Sequence, residues 1–219
     1  METFKFIDIQ QNTEEWLQLR AGKLTSSKLG VIMANFGKAF GEPAKKYAVD
    51  IAIEQITGVP MSNTYSNEHM ERGHEQEPIA RMLYEEETFC DVTNGGFFES
   101  KNVGCSPDGL VNDGVIEIKS VIPHVHFANI KRLAFDPAYR WQCIGNLKFT
   151  GSVWIDFVSY CEGFPEGKRL FTVRGHREDF EKEFKMIDER VAEFLELIKS
   201  TKAVVVDSEY FNFERKVAP

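Results

Sequence analysis

A mixed α/β or α+β domain, with helices flanking a central mixed β-sheet, is the fold class the sequence predicts. Three observations predict it. Residues 115–119 read Val-Ile-Glu-Ile-Lys, so Val115, Glu117 and Lys119 share one side and Ile116 and Ile118 the other, the period of a strand. Residues 151–160 and 169–174 are strand-like, and Gly163, Pro165 and Gly167 supply the turn of a hairpin between them. Phe180, Phe184, Ile187, Val191, Phe194, Leu195 and Ile198 recur at helical spacing and mark a long C-terminal helix with an apolar face. The chain of 219 residues shows no repeat, low-complexity stretch or linker, so one domain is expected over 1–219.

Taken in order, Asn12 or Thr13 caps a short helix whose first turn holds Glu14 and Glu15 and which stops at Gly22. Thr25-Ser26-Ser27 reads as a second N-cap. A helix start with hydroxyls, preceded by Arg20, suits either plain capping or phosphate binding. Residues 35–41 read as a mobile glycine-containing loop. Pro43 opens a helix with Tyr47, Ala48, Ile51 and Ile56 as its stripe, ended by Gly58 and Pro60. Residues 61–69 are turn-like, and a helix bearing Ile79, Met82 and Leu83 on its apolar side follows Gly73. Glu75 and Glu77 near its start suit the helix dipole or a metal. Two strands are expected around Asn94-Gly95-Gly96. Pro123, His124 and His126 read as a loop. Residues 127–148 read as two helical pieces broken near Asp136-Pro137, with Tyr139, Gln142, Cys143 and Asn146 on one side. The tail 201–219 carries Val204-Val205-Val206 and Tyr210-Phe211, apolar enough to pack on the domain or on a neighbouring subunit.

The chemistry concentrates in residues 104–120, GCSPDGLVNDGVIEIKS. Asn112-Asp113-Gly114 between two short runs is a hairpin turn, which sets Asp108 and Glu117 on neighbouring strands with Lys119 beside Glu117. Two carboxylates and a lysine around one point suit metal-assisted phosphodiester hydrolysis. Carboxylates hold Mg²⁺ through oxygen, and a lysine orients water or offsets developing charge. A Glu-x-Lys pair on a solvated strand face is the plain alternative, and the segment alone does not exclude it.

Composition narrows the class. Hydrophobic residues make up 42% and charged residues 27%, ordinary for a soluble globular chain. No run approaches a membrane span, and the start lacks a signal-peptide pattern, so a cytoplasmic protein is expected. The four cysteines, Cys90, Cys105, Cys143 and Cys161, are scattered, which argues against a zinc or iron–sulfur site and for a reduced compartment. A net charge of −8 speaks against a protein that coats nucleic acid through bulk electrostatics, though not against one that gathers positive charge in a groove.

Five segments in order then resemble a known family: Trp16-x-x-Leu19-Arg20 with Thr25-Ser26-Ser27, Gly73-x-x-x-Glu77, Cys105-Ser106-Pro107-Asp108-Gly109-Leu110, Glu117-x-Lys119 and Tyr139-x-x-Gln142. Across roughly residues 13–160 the chain resembles the phage lambda-type exonucleases, YqaJ-like viral recombinases within the PD-(D/E)xK nucleases. Each segment alone is weak, and their order is what makes the resemblance specific.

The resemblance implies a restriction-endonuclease-like core and a catalytic set of Lys119, Glu77, Asp108 and Glu117. Asp108, Glu117 and the Ile118 carbonyl would bind Mg²⁺, two ions per site, with Mn²⁺ able to substitute. Arg20, Ser27, Ser106 and Gln142 would hold a 5′-phosphate, and Met70 would wedge into the duplex end. It further implies 5′→3′ degradation of one strand of linear double-stranded DNA, a trimeric ring, a phage or prophage origin, and handover of the 3′ overhang to a single-strand annealing protein. Relatives often carry a second Gln where this chain has Ile144. An endonuclease on the same fold and a non-catalytic DNA-end-binding protein are the alternatives. Circular duplex separates the first from an exonuclease, and metal-dependent cleavage separates the second.

Overall fold

A computed structural model describes residues 3–61 and 68–207, with the backbone alone given for 68–71. The elements run β1 (Lys5–Ile7), α1 (Glu14–Arg20), β2 (Leu24–Thr25), a 3₁₀ turn (Ser26–Lys28), α2 (Leu29–Met33), α3 (Glu42–Thr57) and α4 (Glu68–Thr88). There follow β3 (Phe97–Glu99), β4 (Val103–Cys105), β5 (Gly109–Val111), β6 (Gly114–Ser120), α5 (Pro123–Arg132), α6 (Arg140–Thr150), β7 (Trp154–Tyr160), β8 (Leu170–His176) and α7 (Glu181–Val206). The mixed α+β class holds, with the strands divided between two mixed sheets ordered β1-β3-β4-β2 and β5-β6-β7-β8.

The second sheet carries the site. β5 and β6 form the expected hairpin, pairing Val111 with Gly114 across Asn112-Asp113, where Asn112 takes a left-handed φ of 52°. β6 then pairs in parallel with β7, Glu117 opposite Phe157, which requires the crossover through α5 and α6. The alternation read from 115–119 becomes two cores. Val115, Ile155 and Phe157 pack with α2, α3, α6 and α7, whereas Ile116, Ile118, Val158 and Tyr160 pack with Ala80 and Tyr84 of α4. Glu117 therefore faces α6.

Two buried polar groups fasten helices to this frame. Asp156 of β7 accepts the Tyr84 hydroxyl at 2.7 Å and two Arg174 bonds at 2.8 Å, tying α4 to the sheet. Arg190 of α7 donates to the Ile32, Lys38 and Ala34 carbonyls and lies 3.7 Å from the Phe40 ring centroid. One carbonyl of the loop at 35–41, that of Lys38, is thus held by α7, because a buried guanidinium must find acceptors.

Differences from the expected elements have local causes. The Asn94-Gly95-Gly96 stretch is not a hairpin turn: the hairpin is β3–β4, pairing Glu99 with Gly104. Gly95 instead packs on Pro107, whose carbonyl a Cβ there would overlap. α4 begins at Glu68, before Gly73. It buries Ala80 and Tyr84 and turns Ile79 and Met82 outward, and Ile56 of α3 is exposed too. Thr25-Ser26-Ser27 leads into a 3₁₀ turn without a side-chain cap. α7 continues to Val206, so the first part of the tail is helical, and 208–219 lie outside the described residues. Among the described residues no helix is long and apolar enough to cross a membrane.

The loop read at Pro123–His126 is the first turn of α5, since proline at N1 starts helices. His126 is buried. Its Nε2 can only donate to the Lys168 carbonyl at 3.2 Å, so in the neutral ring Nδ1 accepts from the Ser159 hydroxyl at 2.9 Å. Burial holds its pKa below the ordinary value, partly opposed by the Lys168 carbonyl. The unfolded chain then takes the proton more readily than the folded one. This contribution to stability is whole above the ordinary imidazole pKa of about 6.5 and is lost as pH falls through it towards the depressed folded value, at about 1.4 kcal/mol per unit of depression. Thermal melts at pH 7.5 and 5.5 check this: the drop in Tm on acidification is expected to be smaller in His126→Gln than in the native chain.

Candidate active site

Asp108 sits where β5 runs out, and its own atoms extend the ladder. Its N–H donates to the Ile116 carbonyl at 3.0 Å, and its Oδ2 accepts the Ile118 N–H at 2.6 Å. Its carboxylate thereby replaces a main-chain acceptor and is held against β6. From α4, Arg81 donates to the Asp108 carbonyl and pairs with Glu77 at 3.6 Å, which brings Glu77 into the same cleft.

Glu117 is fully buried and surrounded by donors. Lys119 and Gln142 donate to its Oε1, and Asn146 donates to its Oε2 at 2.6 Å. Asn146 is oriented from behind by the Ser26 hydroxyl, which donates to its Oδ1. Gly145 makes this approach possible, because a Cβ there would overlap Leu29 of α2. Lys119 also lies 3.9 Å from Asp108 and 5.3 Å from the Tyr139 ring centroid. The Glu117–Lys119–Asp108 grouping expected from the hairpin is therefore formed, and Gln142 points at Glu117 as its position on α6 suggested.

The electrostatics follow from burial. Desolvation, with Asp108 adding to it, raises Glu77 to about 7, while Arg81 and Lys119 pull the other way. Glu117 is raised chiefly by burial and next by Asp108, with Lys119 opposing. Burial opposes the charge on Lys119, but Glu117 and Asp108 outweigh it and raise the lysine. Lys119 and Arg81 are thus shared among three carboxylates, of which Glu77 and Asp108 line a cleft of about 440 Å³ with Ile118 and Lys119, and Glu117 lies buried against Lys119. An all-oxygen set with surplus negative charge is what a hard divalent cation needs, so the residues fit Mg²⁺. No group of three or more His, Cys, Asp or Glu side chains already arranged as a metal cage occurs among the described residues.

A second cleft, lined by Trp16, Arg20, Thr25, Lys28, Lys46 and Tyr47, adjoins the first: Asn12 and His74 line both. Here Ser106, two residues before Asp108, accepts from the Trp16 indole at 2.9 Å and from Arg20 at 3.4 Å, and the Arg20 guanidinium lies 4.0 Å from the Trp16 ring centroid. Burial lowers the Arg20 pKa, and the group remains a cation. Ser27 is exposed, and its hydroxyl bonds that of Thr25 at 3.1 Å. Of the four residues read as a phosphate pocket, Arg20 and Ser106 are in contact, Ser27 adjoins through Thr25, and Gln142 is engaged with Glu117. The Met70 side chain lies outside the described residues.

Sequence reasoning missed Arg81 and missed the role of Asn146. The i,i+4 spacing from Glu77 was a usable signal for the first. Asn146 was placed on the right face without its acceptor. Removing it leaves a buried carboxylate oxygen without a donor, and Asp in its place sets a second negative charge against Glu117. Asn146→Ala is expected to lower unfolding free energy by about 1–3 kcal/mol. Asn146→Asp is expected to lower it further at pH 8, measured by urea unfolding. Equal stability of Asn146→Asp and the native chain would show the contact to be unimportant.

A crystal structure of LHK-Exo in complex with dAMP superimposes with a TM-score of 0.75 at 32% identity, covering 88% of this chain and 98% of that one. A second structure of LHK-Exo, an alkaline exonuclease from Laribacter hongkongensis, gives 0.73 at the same identity and coverage. A phage-related exonuclease from Haemophilus somnus 129PT gives 0.65 at 19% identity over 86% of this chain and 99% of that one, which speaks to the fold alone. The restriction-endonuclease-like fold is common to them. A comparison with curated protein sequences finds no match. The sequence profile of the YqaJ-like viral recombinase domain matches residues 15–153, and the chain belongs to that family.

Proposed function

We propose that the chain is a Mg²⁺-dependent exonuclease that degrades one strand of linear double-stranded DNA in the 5′→3′ direction. The observation that carries the reading is the junction of two clefts: Asp108 and Lys119 line one, with Glu117 buried against Lys119, and Arg20, which donates to Ser106, lines the other. A nuclease is the broad assignment that the alkaline exonuclease relatives support. The 5′ polarity rests on the cationic pocket beside the carboxylates, which suits a terminal phosphate better than a continuous backbone.

Asp108, Glu117 and the Ile118 carbonyl would hold the cation. Bound there, Mg²⁺ would supply polarisation of the scissile phosphate and a more acidic water. The chain's own residues do the rest. Lys119 holds an ammonium between Asp108 and Glu117, positioned to orient water and to offset charge developing on phosphate oxygens. Glu77, with its raised proton affinity, can take up or return a proton at the edge of the cleft. Gln142 and Asn146 fix the Glu117 rotamer. Arg20 and Ser106 anchor the terminal phosphate so that the first internucleotide bond reaches the carboxylates. We further propose, following the family resemblance, that three copies form a ring around the duplex and that the 3′ overhang passes to a single-strand annealing protein.

The reading is tested by incubating linear and covalently closed circular duplex with the protein, with Mg²⁺ and with EDTA. Digestion of linear DNA alone, only with Mg²⁺, is expected, and Lys119→Ala is expected to lower the rate by at least about 100-fold, in the range of lost general-base and electrostatic contributions. Cleavage of the circle would replace an exonuclease by an endonuclease.

The phosphate pocket has its own test. Ends bearing a 5′-phosphate are expected to be digested faster than 5′-hydroxyl ends, and Arg20→Ala is expected to abolish the difference. A charge-assisted bond contributes about 1.5–3 kcal/mol, which corresponds to a preference of roughly ten- to hundredfold. Equal rates on the two ends would remove the pocket assignment while leaving the nuclease intact.

A further inference from the structure

Among the described residues two side-chain polar atoms are buried without any hydrogen-bond partner: Arg72 Nε and Ser120 Oγ. Both residues line the cleft that holds Glu77, Asp108 and Lys119. They come from unconnected elements, Arg72 from α4 and Ser120 from the last position of β6. Folded chains rarely leave such groups unmet, since each costs about 1–3 kcal/mol. Two in one cleft point to a ligand that satisfies both.

The chemistry of the pair defines that ligand. A guanidinium donates only and keeps its charge, and a hydroxyl can donate beside it, so the complement is an oxyanion with several acceptor oxygens. Arg72 forms no ion pair among the described residues, although Glu77 stands on the same helix. Glu77 pairs with Arg81 instead. Among the described residues Arg72 is therefore a cation without an ionic partner at a wall of the acidic cleft. A phosphodiester matches it in charge and in number of acceptors.

Position within the cleft narrows the phosphate. Ser120 follows Lys119 directly, and the Arg20 pocket joins this cleft at Asn12 and His74. A strand with its terminal phosphate at Arg20 and its reacting bond at Asp108 and Glu117 still has its next phosphate to place. We propose that Arg72 and Ser120 bind that internucleotide phosphate, the one on the duplex side of the reacting bond. The assignment rests on the nuclease reading above and extends it to residues that reading leaves unused. They are positioning groups for the strand.

The test uses 5′-phosphorylated linear duplex with Ca²⁺ in place of Mg²⁺, at a concentration and time at which no digestion is seen, so that the carboxylates are offset by a cation and binding is read without cleavage. Arg72→Gln is expected to weaken binding about tenfold and to reduce the slope of log K against log salt by about one, the mark of one lost phosphate contact. A duplex with a neutral methylphosphonate at the phosphate next to the reacting bond is expected to bind the native protein about tenfold more weakly and to bring no added loss in Arg72→Gln. An unchanged salt slope, or a methylphosphonate penalty that persists in full in Arg72→Gln, would overturn the assignment. Ser120→Ala keeps the question decidable if Arg72→Gln does not fold: weaker binding to the natural duplex but equal binding to the methylphosphonate duplex supports the contact, and unaltered binding to both refutes it. Digestion of linear duplex by the native protein with Mg²⁺ is run in parallel. Its failure counts against the nuclease reading, whereas the binding comparisons judge Arg72 and Ser120.

Discussion

The structure is arranged around one carboxylate that has no access to water. An ionised glutamate removed from solvent costs several kcal/mol even after relaxation, and only close partners offset that. Glu117 has them from three directions: Lys119 from its own strand, Gln142 and Asn146 from α6, and Ser26 behind Asn146. Each partner demands a piece of the fold. β6 must lie inside the sheet so that Glu117 is covered. α6 must cross it closely, which Gly145 permits. The 3₁₀ turn must follow β2 so that Ser26 reaches α6. The crossover between β6 and β7 is what delivers α6 to that face.

The same constraint links the two clefts. Ser26 supports the Glu117 side through Asn146, while its neighbours Thr25 and Ser27 belong to the Arg20 side. Cys105 and Ser106 repeat the arrangement: β4 ends in the core, and the next residue contacts Trp16 and Arg20 only two positions before Asp108. Short rigid connections hold the two clefts in register. The Asp156 pairing performs the equivalent service on the opposite face, where it keeps α4, and with it Glu77, Arg81 and Arg72, against the sheet.

How much of this was legible follows from range. The alternation at 115–119 and the Asn112-Asp113-Gly114 turn depend on neighbours in sequence, and both placed Asp108 beside Glu117 and Lys119 correctly. The face of α4 depends on what the helix meets. Ile79 and Met82 are more hydrophobic than Ala80, but the approach to β6 and β7 selects the small residue and Tyr84, whose hydroxyl finds Asp156. Asn94-Gly95-Gly96 has the composition of a turn, yet its glycine is needed for contact with Pro107, far along the chain. Pro123 was a usable local signal for the start of α5, whereas the burial of His126 was not legible because its acceptor is the carbonyl of Lys168, 42 positions away. Local patterns fix periods and turns, whereas the partners of buried polar groups are tertiary facts.

The acidic balance of the whole chain is consistent with a site for a polyanion once distances are considered. Charges farther apart than about 8–10 Å are largely screened at ordinary ionic strength, so the sum of −8 describes solubility more than it describes a groove. Within the Arg20 cleft, Lys28 and Lys46 reinforce the arginine, while Glu54 is occupied with the Gly22 and Met61 N–H groups. Beside it, among the described residues, the three carboxylates have Lys119 and Arg81 as cationic contacts. One cleft thus suits an anion outright, and the other suits an anion only together with a cation. That asymmetry gives the site a direction: a strand end can seat its terminal phosphate before the reacting bond meets the carboxylates, so binding of the end precedes and aligns the chemistry.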